Sequence, residues 1–250
     1  MTIQILLYIV VSLFGLVIGS FLNVCIYRIP KKEDIVKTRS HCMNCGHALQ
    51  WYELVPVFSY VVLRGRCRQC KEKISIQYPL VEFTNALGYV WIFFVNGINI
   101  QSILYCLFTS TLIVISVIDS RTMEIPIGCN YFIAILGIIQ LAIDFSNWKT
   151  YAIGAICVSA FLLMIYIVTG GRGIGGGDVK LMATAGLLVG APKILLAFFI
   201  GSVLAACIHP IRMKVSKVDH QLAFGPYLCI GLYVSILYGK QIIDWYLSTM

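Results

Sequence analysis

Charged residues are scarce in this sequence. They make up 12% of its 250 residues, whereas hydrophobic residues make up 59%. Soluble globular domains carry roughly 25% charged residues, so the composition excludes an ordinary soluble domain. We predict an all-α polytopic membrane protein instead, because a helix that crosses a bilayer needs about 20 largely apolar residues.

Eight apolar stretches are long enough, or nearly long enough, to be membrane helices. We therefore predict about eight transmembrane helices and count residues 179–190 as a half-length eighth. The alternative is seven spans with 179–190 as a re-entrant piece. The stretches are 3–26, 80–95, 102–118, 127–143, 151–168, 179–190, 191–208 and 222–238.

The first stretch lacks the features of a cleaved secretory signal. No basic residue precedes it, and no small-residue cleavage site follows it in GSFLNVCIYRIP. It is also longer than the hydrophobic region of such signals. We expect it to be retained as a membrane anchor.

The basic residues are distributed unevenly over the loops. Between Arg28 and Tyr78 there are ten Lys and Arg against four acidic residues. If this loop is cytoplasmic, so are 119–126, 170–180 and 209–221, and sixteen of the nineteen basic residues then face the cytoplasm. We expect the N-terminus to lie outside. The net charge of +8 then reflects topology and contact with anionic membrane lipids, and it is no argument for nucleic acid as a partner.

This distribution divides the chain into three predicted regions. Residues 1–27 are the first transmembrane helix, residues 28–78 a cytoplasmic insert, and residues 79–250 a membrane helical bundle. The bundle contains the only long run of helix-breaking residues, at 170–177, where six of the eight residues are glycine.

The insert contains two C-x2-C pairs separated by twenty-one residues. Four thiolates at this spacing can close a tetrahedron around Zn²⁺. Such a site is structural, because four thiolates leave no coordination position for water. An insert of this size also has too small a hydrophobic core to fold without a metal ion or disulfides. Two disulfides are the alternative, which a reducing cytoplasm disfavours. We expect the flanking His41 and His47 to be solvated. The four predicted ligands are Cys42, Cys45, Cys67 and Cys70.

Three acidic residues stand at the ends of predicted spans, namely Asp119, Asp178 and Glu82. Ionisable residues inside a membrane bundle are costly and mark function by default. Each also has a simpler explanation. Asp178 can be the N-cap of a helix, Glu82 can be a favourable charge at a helix start, and Asp119 can be a solvated boundary residue.

Two aspartates on one side of a membrane predict a specific chemistry. Neighbouring carboxyls share a proton, so that one activates a water and the other donates to a carbonyl oxygen, as in aspartic proteases. Glycine backbone beside the acid allows an extended substrate to approach closely. From helix dipoles alone, Asp178 is expected to favour the ionised form and Asp119 the protonated form. The residues expected beside the substrate are Gly175, Gly176, Gly177 and Lys180.

Together these features resemble the type IV prepilin peptidases, which are GxGD aspartic membrane proteases with leader peptidase and N-methyltransferase activities. The resemblance covers almost the whole chain. The matching segments are GSFLNVCIYRIP at 19–30, the two cysteine pairs with the WYELVPVFSYVVLRGRC stretch, YPLVE at 78–82, DSRTMEIP at 119–126, GGGDVKL at 175–181 and AFGPYL at 223–228.

The resemblance implies a function for each part of the chain. Asp119 and Asp178 would cleave the short basic leader of type IV prepilins or pseudopilins, on the cytoplasmic face of the bacterial inner membrane, in pilus assembly, protein secretion or competence. The first part of the chain would methylate the new N-terminus with S-adenosylmethionine. Its candidate cofactor-binding residues are Gly19, Asn23 and Glu82.

Two positions depart from the family pattern, Ile127 where an acid or amide is common and Ala223 where proline is common. Neither is a catalytic carboxylate. Three alternatives stay open at this point: a peptidase without methyltransferase activity, an ion-coupled membrane transporter, and a membrane-anchored zinc scaffold without chemistry. The transporter would place its carboxylates deep within the spans.

Overall fold

The computed structural model describes residues 2–216 and 222–249. Within these ranges the chain is helical, with two isolated β-bridges in the insert and no β-strand. The described α-helices are α1 (Thr2–Arg28), α2 (Phe58–Val62), α3 (Gln77–Asn96), α4 (Ile100–Thr122), α5 (Ile127–Ile143), α6 (Trp148–Thr169), α7 (Gly176–Val189), α8 (Ala191–Ser216) and α9 (Gly225–Ser248). Two short 3-10 turns cover Trp51–Glu53 and Phe145–Asn147.

The predicted all-α polytopic class is confirmed, and each of the eight apolar stretches lies largely within a helix. In the described part of the chain, six helices are long and apolar enough to cross a membrane. They are Gln4–Arg28, Gln77–Asn96, Ile100–Thr122, Phe145–Thr169, Ala191–Ile211 and Gly225–Ser248. Helix α5 is also apolar, but its 17 residues are fewer than the about 20 that a membrane-spanning helix needs.

Helix α7 is too short to cross a bilayer by itself. Its 14 residues rise about 21 Å, whereas the hydrocarbon core is about 30 Å thick. The prediction of a half-length helix at residues 179–190 is therefore confirmed. The predicted loop at 209–221 is also shorter than expected, because α8 continues to Ser216, and residues 217–221 lie outside the described residues.

The chain divides into two compact units within α4, Met1–Val114 and Ile115–Met250. The division at residues 78 and 79 between the insert and the bundle stays a prediction. In the structure, helix α3 packs against α1 in the first unit. The reason lies in side-chain packing between α1 and α3, which the sequence pattern does not reveal.

In the first unit, small residues bring α1 and α3 into close contact. A Cβ atom at Gly15 or Gly19 would lie 2.6 Å from the Cα atom of Ala86 or Glu82, respectively. The Asn85 side chain adds a hydrogen bond of 2.8 Å to the Gly15 carbonyl. Close backbone approach through small residues is a common basis of helix association in membranes.

In the second unit, α7 packs against α5 and α6, and α8 packs against both α6 and α9. Glycines again lie at the contacts. Gly154 of α6 and Gly186 of α7 meet backbone to backbone, and Gly231 of α9 lies against the Ala197 carbonyl of α8. These contacts hold α7 among longer helices and so fix the position of its first turn.

Candidate functional site

Asp119 lies in the last turn of α4 and is 5% exposed. Its Oδ2 atom accepts a hydrogen bond of 3.0 Å from the backbone N–H of Gly225, the first residue of α9. Asp119 is therefore not the solvated boundary residue of the simpler explanation. It is a buried carboxyl held by the start of another helix.

Asp178 lies in the first turn of α7 and is 7% exposed. The N-cap of α7 is Gly175, so the N-cap explanation of Asp178 is wrong, and Asp178 is the third helical residue. Its carboxyl reaches back to the backbone N–H of Gly175, and its Oδ1 atom is buried without a hydrogen-bond partner. A buried, unpartnered carboxylate oxygen is costly and is a common property of catalytic sites.

The fold brings the two aspartates into one site in the second unit. Their charges lie close enough to repel each other. The thiol of Cys229, on α9, is within electrostatic range of both carboxyls and of Cys129 on α5. Four helices, α4, α5, α7 and α9, thus contribute to the surroundings of the pair.

The two aspartate motifs also meet through their flanking residues. A Cβ atom at Gly177 would lie 3.0 Å from the Cβ atom of Ile125, in the turn that follows α4. At Gly175 it would lie 3.2 Å from Asp178 Oδ2, and at Gly176 its nearest neighbour would be Tyr166 at 3.7 Å. Close packing against Ile125 therefore accounts for a glycine at position 177, whereas position 176 has room for a Cβ atom. Lys180 is exposed on α7.

Gly225 is a site residue that the sequence analysis quoted within AFGPYL but did not identify. A Cβ atom there would lie 2.7 Å from Asp119 Oδ2, so a side chain at this position displaces the carboxyl. The signal was present as a glycine before a proline at a helix start. Its link to Asp119 spans 106 residues, and no local pattern indicates it.

The dipole argument for different protonation of the two aspartates does not hold for this geometry. Asp119 does lie at the C-terminal end of α4, which disfavours its charge. It also faces the N-terminus of α9, which favours its charge and donates a hydrogen bond to it. Both carboxyls therefore face the N-terminus of a helix: Asp178 that of its own helix, α7, and Asp119 that of α9.

The four predicted metal ligands lie together in the first unit. Their sulfur atoms are all within 4.8 Å of one another, with Cys42 and Cys70 separated by 3.8 Å and Cys45 and Cys67 by 4.0 Å. With Zn–S bonds of about 2.3 Å, the sulfurs of a tetrahedral site are about 3.8 Å apart. All four cysteines are free, so the disulfide alternative is wrong.

The two cysteine pairs repeat the same backbone geometry. In each pair, the backbone N–H of the first cysteine donates to the carbonyl oxygen of the residue five positions later. The carbonyl oxygen of the same cysteine accepts a hydrogen bond from the N–H four positions later. The residue after each second cysteine, Gly46 or Lys71, has a left-handed φ of 70° or 61°.

Hydrogen bonds from the N–H groups of Cys45 and then Asn44 lower the pKa of Cys42 to about 7. The pKa of Cys45 is raised, because the hydrogen bond from the His47 N–H is outweighed by desolvation and by the other three thiols. Cys42 is therefore the more readily ionised of the two, and the thiolate is the form that binds a metal.

The two histidines beside the first pair differ. His41 is exposed and contacts the Arg39 carbonyl. His47, expected to be solvated, lies 3.2 Å from Glu53 through its Nε2 atom. Neither belongs to the described metal-ligand cluster.

A cavity of about 400 Å³ lies beside this cluster, between the insert and the ends of α1 and α3. Its lining includes Cys42 and Cys67, the tyrosines Tyr27, Tyr60 and Tyr78, and the carboxylates Glu33, Glu53, Glu72 and Glu82. The volume suits a small-molecule ligand, for which pockets of roughly 300–1,000 Å³ are usual.

Of the three predicted cofactor-binding residues, Asn23 and Glu82 line this cavity and Gly19 does not. Gly19 contacts the backbone of Glu82, as a packing residue. The Asn23 amide donates to the carbonyls of Gly19 and Tyr78, at 3.3 and 3.1 Å.

Glu82 has its own structural partners. Its Oε2 atom accepts a hydrogen bond of 2.7 Å from the Val57 N–H, and the Ser20 side chain also bonds the carboxyl. Val57 has a φ of 59°, which β-branched residues rarely adopt. Glu82 therefore anchors a strained turn of the insert to α3.

Two family models match the chain. Residues 13–96 match the bacterial peptidase A24 N-terminal domain, and residues 106–209 match the type IV leader peptidase family. The first match ends with α3, in agreement with the packing of α3 in the first unit. No solved structure matches the chain significantly.

Curated relatives match over nearly their full length. The chain is 31% identical to a prepilin leader peptidase/N-methyltransferase of Bacillus subtilis (strain 168) over 242 residues, which cover 96% of this chain and 97% of that one. It is 32% identical to a protein of the same name from Stutzerimonas stutzeri, over 94% of this chain and 91% of that one. The chain is also 31% identical to a protein of the same name from Pseudomonas putida, over 92% of this chain and 90% of that one. This chain belongs to the type IV leader peptidase family.

Proposed function

We propose that this integral membrane protein removes the leader peptide of type IV prepilins or pseudopilins with Asp119 and Asp178, and then methylates the new N-terminus. One observation carries the peptidase assignment. Two buried carboxyls from separate sequence motifs lie within electrostatic range in one unit, at helix ends, and one of them has an unpartnered oxygen. The names of the curated relatives support both activities.

The chemistry needs one proton shared between the two carboxyls. The ionised carboxyl removes a proton from a water that attacks the scissile carbonyl, and the protonated one donates to the carbonyl oxygen. The hydrogen bond from Gly225 holds Asp119 in place, and the unpartnered Oδ1 atom of Asp178 is free to accept a proton from water. Gly176 is half-buried, and an added Cβ atom there would make only ordinary contact with Tyr166, which leaves room for the backbone of an extended substrate.

The cysteine cluster is proposed to hold a structural Zn²⁺. Four thiolates leave no open coordination position, so the ion takes no part in peptide hydrolysis. Among its described residues, the insert has one helix of five residues, one 3-10 turn and two isolated bridges. So little regular structure makes the metal the main stabilising element of the insert.

The first-unit cavity is proposed to bind S-adenosylmethionine, which supplies the methyl group. Its size, its tyrosines and an unpartnered buried carboxylate oxygen of Glu53 fit such a ligand. Asn23 lines the cavity and links α1 to α3 through its hydrogen bond to the Tyr78 carbonyl, whereas Gly19 and Glu82 act by holding α1, α3 and the insert together.

The location is proposed from charge. The basic insert, with ten Lys and Arg between residues 28 and 78, is assigned to the cytoplasm of a bacterial cell, next to the anionic inner membrane. The N-terminus then lies outside, and the aspartate site faces the cytoplasm, where prepilin leaders are found before export.

The test uses purified full-length protein in detergent, a prepilin and labelled S-adenosylmethionine. The mass of the pilin is measured after incubation. Loss of the leader reports the peptidase, and one additional methyl group reports the transferase. Cleavage without methylation leaves the peptidase-only alternative, and an uncut prepilin rejects the proposed function.

The transporter alternative is less well supported. It needs carboxylates in the middle of spans. Asp119 instead lies in the last turn of α4, which ends at Thr122, and Asp178 lies in the first turn of α7. The scaffold alternative leaves the two buried carboxyls without a role. Normal prepilin processing by both Asp→Asn variants would favour these alternatives.

A further inference from the structure

We propose that Glu53 is the residue that binds the α-ammonium group of the methyl donor in the first-unit cavity. This inference rests on the proposed methyltransferase function and assigns a residue to it. Glu53 lies in the 3-10 turn Trp51–Glu53, is 8% exposed and lines the cavity. The sequence analysis did not single it out.

The two carboxylate oxygens of Glu53 have different surroundings. Oε2 accepts a hydrogen bond of 2.8 Å from the Gln50 N–H and lies 3.2 Å from His47 Nε2. Oε1 is buried and has no hydrogen-bond partner among the described residues. One oxygen therefore fixes the side chain, and the other is left without a hydrogen bond in a residue that lines the cavity.

Glu53 is held in its charged form. The Gln50 N–H, followed by the His47 side chain, keeps the pKa of Glu53 below its ordinary value. A charged oxygen that is buried without a hydrogen-bond partner is unfavourable, because it has lost its hydration and gained no hydrogen bond in return. A ligand that brings N–H donors and a positive charge restores both interactions.

The other charged groups of the lining are already engaged or exposed. Glu82 bonds Val57 and Ser20, and the Arg28 guanidinium donates to the carbonyls of Asp34, Thr38 and Arg39. Glu33 and Glu72 are exposed to solvent. Of the described lining carboxylates, Glu53 is thus the one with a buried oxygen left to bind a ligand.

The amino-acid part of S-adenosylmethionine has the matching chemistry. Its α-ammonium offers three N–H donors and a full positive charge, and the adenine ring suits the tyrosines that share the lining. A hydrogen bond between charged groups contributes about 1.5–3 kcal/mol, which corresponds to roughly 10-fold to 100-fold in affinity.

The test compares the wild type with Glu53→Gln by titration calorimetry on metal-loaded, full-length protein in detergent. The three ligands are S-adenosylmethionine, S-adenosylhomocysteine, which keeps the α-ammonium but has no sulfonium charge, and methylthioadenosine, which lacks the amino-acid part. Glu53→Gln is expected to weaken the first two by about 10-fold to 100-fold alike and to leave the third unchanged. Glu53→Asp, which keeps the charge, should recover part of the loss.

Glu72→Gln is the matched control, because Glu72 lines the same cavity but is exposed. It should bind all three ligands like the wild type. An unchanged affinity of Glu53→Gln for S-adenosylhomocysteine would overturn the inference. An equal loss of affinity for all three ligands would also overturn it, because it would indicate that the insert no longer folds. If the wild type itself binds neither of the first two ligands, the methyltransferase function fails, while cleavage still reports the peptidase separately.

Discussion

Two buried carboxylates, Glu82 in the first unit and Asp178 in the second, differ in how their oxygens are partnered. In the first unit, Glu82 bonds the Val57 N–H and the Ser20 side chain. In the second, Asp178 keeps one buried oxygen without any partner. A buried carboxylate whose oxygens accept hydrogen bonds stabilises the fold. One with an oxygen that lacks a hydrogen-bond partner is available for chemistry. Glu53 combines both properties, one in each oxygen.

The two units also differ in what holds them together. The insert of the first unit has little regular structure around four clustered thiols. The second unit is built from helices in contact through glycines such as Gly154, Gly186 and Gly231. A defect in the metal site should therefore remain local to the insert, and a defect at a helix contact should reach the aspartate pair.

The largest expected effect is on cleavage. In the proposed mechanism Asp178 accepts a proton from water. Asp178→Asn should therefore lower the rate of prepilin cleavage by about 1,000-fold or more, because acid–base groups contribute roughly 100-fold to 10,000-fold. Asp119→Asn should have a similar effect. Asp244→Asn, at an exposed position of α9, is the control and should cleave normally. Cleavage by either catalytic variant at the control's rate would contradict the assignment.

The second effect is on metal content. Cys67→Ser removes a buried thiolate ligand, so metal affinity should fall by more than about 100-fold, the upper end of what a lost outer-shell partner costs. Metal analysis of the purified protein measures this, and limited proteolysis should show earlier cutting within residues 29–76. Cys207→Ser, at an exposed cysteine of α8, should keep the metal. A Cys67→Ser protein with full metal content would show that the four thiols are not the ligands.

The third effect comes from a single methyl group. In Gly225→Ala the new Cβ atom lies 2.7 Å from Asp119 Oδ2 and forces the carboxyl to move. We expect kcat for prepilin cleavage to fall by about 10-fold to 100-fold, with KM little changed, because a displacement of this size misaligns the reacting groups. Gly128→Ala is matched to it, since no atom lies within 4 Å of the added methyl. Equal kcat in the two variants would exclude a positioning role for Gly225.

The smallest effect is on stability. Glu82→Gln weakens the bond that anchors Val57, and the free energy of unfolding of the insert should fall by about 1–3 kcal/mol. Thermal unfolding measures the loss, and prepilin cleavage should continue. A Glu82→Gln protein that is fully stable but binds no methyl donor would instead support Glu82 as a direct cofactor ligand.

The comparison shows which parts of this protein could be predicted from the sequence. The apolar stretches, the four cysteines and both aspartates follow from composition and spacing, because hydrophobic length and ligand spacing are local properties. Gly225 and the packing of α3 on α1 do not, because they depend on contacts between distant segments. The surroundings of Asp119 show the same limit: the local dipole of α4 is visible in the sequence, and the opposing N-terminus of α9 is not.

Glu53 was missed for a related reason. A glutamate three residues after Gln50 has the spacing of a capping interaction, which indicates only a local turn. Its second oxygen gains significance from the cavity around it, and the cavity exists only once the insert has folded against α1 and α3.

The most direct test asks whether the two activities separate between the two units. Asp178→Asn is supplied in parallel with intact prepilin and with pilin whose leader has already been removed, both with the methyl donor, and product masses are measured. The account predicts that the intact prepilin stays uncut while the shortened pilin gains one methyl group. Cleavage of the intact prepilin at the wild-type rate would contradict it.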